Sequence, residues 1–172
     1  MLKTFEPIVV CAVAGGGASS AAIDLRVRRV PNPMTLGITA VGLILAAFQV
    51  TSVTIGGALV GLVLGFALML PGHVIGATGA GDVKLMAALG TLLGPGRTGS
   101  AFMYTAMAGG VIALIVAARR RRMRVTIERT AALLSTSGTS SAAADIEHPR
   151  EDNRFAYAPA IAIGALVAAL GL

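Results

Sequence analysis

The chain has 172 residues, 55% of them hydrophobic and only 13% charged, with a mean hydropathy of +0.81. Soluble domains run at about 45–50% apolar even with glycine counted and about 25% charged, so an ordinary soluble globule is excluded and a single polytopic membrane domain over 1–172 is expected. The formal charge is +6, but aromatics are 4%, Trp is absent and the basic residues border apolar blocks, so they read as topology signals and a nucleic-acid partner is excluded. The one cysteine, Cys11, makes no intrachain disulfide and leaves no Cys-x-x-Cys pair for zinc.

In chain order, the apolar segments are 7–23, 34–50, 53–71, 83–95, 99–118 and 155–172. The expected fold is all-α, a bundle of about six transmembrane helices. A helix rises about 1.5 Å per residue, so about 20 residues span a bilayer core and about 17 are near the lower limit. The first segment competes with a cleaved signal peptide, with Lys3 ahead of the apolar run and Ala12-Val13-Ala14 as the cleavage site. Glu6 and Pro7 interrupt that pattern and the basic cluster follows the run, so a retained helix is expected. The third segment carries Gly57, Gly61 and Gly65, and the sixth carries Ala158, Ala162, Ala165 and Ala169. Small residues at such spacing let helices approach closely, and packing inside the bundle is expected. The seven methionines read as core filler.

The fourth segment is short. From Val83 to Leu93, before Gly94-Pro95-Gly96, it offers roughly 11 residues or about 16 Å of helix. It either begins below the membrane surface or thins the bilayer, and the first option sets Asp82 in a recess. After the fifth segment, 119–154 reads as a cytoplasmic loop. Met123, Ile127, Ala131 and Leu134 mark an interfacial helix on one face, and 135–144 is a mobile Ser/Thr/Ala stretch. The run Arg119–Arg122 reads as a stop-transfer anchor that meets anionic lipid.

Orientation follows from the basic residues. With the N-terminus outside, the inside loops are 24–33, 72–82 and 119–154, and only Lys3 and Arg97 remain outside. That assignment puts Asp24 and Asp82 on one, cytoplasmic, face. A carboxylate at or near membrane depth is costly and usually retained for function. Two together supply what amide hydrolysis needs without metal or cofactor. One carboxylate takes a proton from water, and the other, protonated, donates to the scissile carbonyl. Close approach forces their ionisations apart, and the pair titrates as a unit. Singly, each aspartate has a structural account: Asp82 as a helix N-cap, Asp24 as a snorkelling carboxylate paired with Arg26 or Arg28. Gly79 and Gly81 remove side chains where a substrate backbone would lie.

Ile23-Asp24-Leu25-Arg26 with Val30-Pro31-Asn32, followed by Gly79-Ala80-Gly81-Asp82-Val83-Lys84-Leu85, resembles the type IV prepilin peptidases. Val30 stands where the family usually has Ile, and Tyr157-Ala158-Pro159-Ala160 is similar to an element of its small members. The resemblance implies an integral aspartic endopeptidase of the bacterial inner membrane, with Asp24 and Asp82 catalytic and no cofactor. It would remove the basic leader of prepilins on the cytoplasmic side. Presenilin-class proteases share Gly-x-Gly-Asp but set their first aspartate in a different motif. Longer members carry an N-terminal region with paired cysteines associated with methylation. Here only about six residues precede the first helix and Cys11 stands alone. The resemblance therefore implies the short, peptidase-only form of Flp-type (tight-adherence) pilus systems, without methyltransferase activity.

Lys84 reads as an interface anchor or as a cation biasing the aspartates, and Asn32 as a turn residue or a hydrogen-bonding group near Asp24. His73 lacks a second ligand residue nearby, which argues against metal, and His148 reads as solvated. The rival reading from another class is a non-enzymatic transporter or pilus-assembly scaffold whose aspartates bind a cation.

Overall fold

The computed structural model describes residues 6–27, 30–76, 78–119 and 157–171. Its contacts divide the chain into two units, Met1–Gly109 with Ala156–Leu172, and Gly110–Phe155. In the second unit the described part is the end of one helix. The expected interfacial helix, the Ser/Thr/Ala stretch, Arg120–Arg122 and His148 lie outside the described residues.

Five helices are described: α1 Pro7–Val27, α2 Asn32–Ala47, α3 Ile55–Val74, α4 Ala80–Arg119 and α5 Ala158–Ala169. The protein is an all-α membrane protein, and three helices, α1, α3 and Ala80–Ile115 of α4, are long and apolar enough to cross a bilayer. Among the described residues these three are fewer than the about six spans expected from the sequence. The fourth and fifth apolar segments both lie in α4, which is two helices, 80–93 and 95–119, meeting across a kink at Gly94. With 16 and 12 residues, α2 and α5 fall short of the spanning limit of about 17.

The break between segments four and five lies at Gly94-Pro95. Gly94 has φ 68° and ψ 174°, a region essentially open only to glycine. It turns the chain while Pro95 restarts the helix, since a proline near a helix start gives up an N–H that has no intrahelical partner anyway. We expect Gly94→Ala to cost about 1–3 kcal/mol, because the strained backbone must be kept or the break lost. Equilibrium unfolding in detergent checks this, and a neutral result would mean the break is not maintained in the folded protein.

The first arm of α4 is the core of the first unit. Val83 and every residue from Leu85 to Leu93 are buried, so this helix is enclosed rather than lipid-facing. Its shortness as an apolar segment follows from that enclosure.

Glycines let the surrounding helices approach it. Gly42 of α2 lies against Thr91, and Gly61 of α3 lies against Gly90, each backbone occupying the place where the other's Cβ would stand. A Cβ on Gly65 would stand 2.6 Å from the Met86 carbonyl oxygen. The spacing of Gly61 and Gly65 is therefore used inside the bundle, as expected from the sequence. On the opposite side α1 meets α5, where a Cβ on Gly17 would come within 3.1 Å of Ala162 Cβ. Exposed Leu36, Val41 and Ile44 on α2, Phe48 just after it, and Leu59, Val60, Val63 and Phe66 on α3 form the outer apolar surface that a bilayer solvates.

Candidate active site

The C-terminus of α1, the N-terminus of α2 and the N-termini of α4 and α5 meet at one end of the bundle. Gly81 fixes part of this junction, since a Cβ there would lie 3.3 Å from Val30 Cβ. Helix α1 runs on to Val27, so Asp24 sits within its last turns rather than in the loop expected from residue 24 onward. Both aspartates are buried, Asp24 at 6% and Asp82 at 7% exposure. They lie close enough for the charge of Asp24 to act on Asp82.

Each carboxylate is held by a backbone donor. The Gly79 carbonyl accepts the first intrahelical bond of α4 from the Val83 N–H, which makes Gly79 the capping residue. Asp82 stands three residues on and reaches back, its Oδ2 accepting the Gly79 N–H at 3.0 Å. This is the second half of a capping box, with Asp in the place usual for Glu or Gln. The N-cap reading thus shifts by three residues.

Of the two partners in the snorkelling account of Asp24, Arg28 lies outside the described residues. Arg26 is exposed, and the Asp24 carboxylate accepts the N–H of Ala158 at the start of α5. Helix starts carry N–H groups without intrahelical partners and a positive dipole end, so a buried carboxylate is stabilised there. Asp24 Oδ2 is buried with no hydrogen-bond partner among the described residues. Two carboxylates are thus anchored by one oxygen apiece on two helix N-termini.

The weaker candidates fall at the rim. Lys84 is exposed and its Nζ donates to Asn32 Oδ1 at 3.0 Å, which ties α4 to the start of α2. Exposed Gly79 leaves backbone open beside Asp82, whereas Gly81 is packed against Val30. His73 donates from Nδ1 to the Thr78 carbonyl at 3.1 Å and closes the α3–α4 turn. Because the Lys84–Asn32 bond is exposed, we expect Asn32→Ala to cost less than about 1 kcal/mol. Thermal unfolding compared with wild type tests this, and a larger loss would mean that Asn32 is structurally central.

A model of the type IV leader peptidase family matches residues 11–115, which contain both aspartates. The chain belongs to the type IV leader peptidase family. No curated protein and no solved structure matched it. In this leader peptidase the matched region covers α1 to α3 and most of α4, and α5 lies beyond it.

Sequence reasoning did not place Tyr157 or Ala158 in the site. Tyr157 is half-buried and lies within electrostatic reach of Asp82. The signal was the stretch Tyr157-Ala158-Pro159-Ala160, similar to an element of small family members but given no place at the aspartates by the sequence.

Proposed function

We propose that this member of the family is an aspartic endopeptidase that removes the N-terminal leader of Flp-like type IV prepilins. The observation that carries the reading is the pair Asp24 and Asp82, buried, within electrostatic reach and each anchored to a helix start. One carboxylate takes a proton from water as the water oxygen bonds to the scissile carbonyl carbon. The other, protonated, donates to the carbonyl oxygen. The C–N bond then breaks and the leaving nitrogen takes a proton from the pair. Gly79 and Gly81 shape the approach of the substrate backbone, with Lys84 and Asn32 at the rim.

In this reading the six apolar segments lie in the bacterial inner membrane, α4 contributing two across its break, with the N-terminus outside. The aspartates act at the cytoplasmic face, the side favoured by the distribution of arginines. Arg119–Arg122 meet anionic lipid there. The lone Cys11 leaves no cysteine pair of the kind that accompanies methylation in longer members, so no methyl transfer from S-adenosylmethionine is expected.

The test is co-expression with a prepilin carrying a basic leader and an apolar helix, followed by intact mass. Loss of the leader that depends on both aspartates supports the reading. Coupled ion flux without a cleavage product would replace it with a cation-binding transporter.

A further inference from the structure

Helix α5 lies outside the residues matched by the family model, yet its first turn reaches both aspartates. The Ala158 N–H donates to Asp24, and the Tyr157 phenol lies within reach of the charge of Asp82. The ring has a defined seat. A Cβ on Gly109 would stand 2.5 Å from the phenol oxygen and 2.7 Å from Cζ, so only glycine at 109 leaves room for it. Further along, α5 packs through Ala162 on Gly17 of α1, the helix that carries Asp24. Through Gly164 it packs on Ala101 and Thr105 of α4, the helix that carries Asp82. One short helix is thus clamped between the two helices that hold the carboxylates.

We propose that Tyr157 is a positioning residue, its hydroxyl orienting Asp82 while the adjacent Ala158 N–H orients Asp24, so that α5 sets the two carboxyls relative to each other. The inference rests on the aspartic reading. A phenol is protonated at neutral pH and so remains a hydrogen-bond donor. Asp82 then has two donors, the Tyr157 hydroxyl and the Gly79 N–H, against the Ala158 N–H on Asp24, and that inequality divides the roles of the pair.

Tyr157→Phe keeps the ring beside Gly109 and deletes the hydroxyl. For purified protein with a prepilin substrate, we expect kcat to fall by about tenfold to a hundredfold, from loss of one hydrogen bond to a charged group, with KM within about twofold. The acidic limb of the pH–rate profile should move as well, with thermal unfolding unchanged. A ring with a purely structural role predicts wild-type kcat and an unmoved profile, and that result would overturn the proposal. Asp24→Asn and Asp82→Asn in the same assay separate the two levels. If they cleave, the aspartic reading falls and the inference with it. If they are inactive and Tyr157→Phe matches wild type, the inference falls alone.

A second measurement does not depend on activity or on the stability of that variant. The chain has two tyrosines, so Tyr104→Phe leaves Tyr157 as the sole phenol for ultraviolet titration. Adding Asp82→Asn removes a negative charge that favours the neutral phenol, so the titration should move to lower pH. An unmoved titration would overturn the placement of Tyr157 beside Asp82.

Discussion

Replacing either aspartate with asparagine should reduce leader cleavage by about a thousandfold or more, since a positioned acid or base contributes about 10²–10⁴ and the proposed mechanism uses both carboxyls. Asparagine is nearly isosteric and keeps an acceptor oxygen. Asp82→Asn can still receive the Gly79 N–H, and Asp24→Asn the Ala158 N–H. The helix starts should survive, so the loss belongs to proton transfer rather than to capping. On the proposed reading the carboxyls act as one unit, and the double variant should be little worse than either single one. Asp82→Glu should also be weak, because a reacting group displaced by about 1 Å can lose about a hundredfold. Single-turnover cleavage at matched, folded protein concentration decides the matter. Either Asn variant retaining a tenth of wild-type activity would sink the dyad.

The second large effect is on stability and has opposite signs at two glycines. Gly61 and Gly90 meet backbone to backbone, so a methyl on either collides with a carbonyl that the helix cannot move without losing hydrogen bonds. We expect Gly61→Ala to cost about 2–3 kcal/mol, in the upper range for overpacking. It should also lower activity, since pushing α3 off the first arm of α4 shifts the helix that carries Asp82. Gly37, on α2, has nothing within 4 Å of the position of a Cβ. There Gly37→Ala should be neutral or stabilise by up to about 1 kcal/mol, the ordinary helix preference for alanine. Urea or dodecyl-sulfate unfolding in mixed micelles compares the two. Equal effects would mean that helix propensity, not the close approach, governs both sites.

Much of the site is legible in the chain because the relevant signals are local. Asp24 and Asp82 stand out because a charge beside an apolar block is costly, whatever the fold. Their common face follows from counting crossings against the arginine distribution, and the two aspartates do share one end of the bundle. The four-residue spacing of Gly61 and Gly65 likewise announces a close helix contact, although not its partner.

What the tertiary structure decided is non-local. In nearly uniform apolar helices the periodic contrast between core and lipid is weak, so nothing in Val83–Leu93 says that this arm is enclosed on all sides. The Gly-Pro-Gly break is itself local and legible, but only the observed φ of Gly94 shows the backbone turn between the two helices of α4. Tyr157 and Ala158 join Asp82 and Asp24 across most of the chain because α5 packs between α1 and α4. Such a long-range approach depends on which small residues face each other in space, here Gly17 with Ala162 and Gly164 with Ala101, and spacing along the sequence carries no record of that pairing.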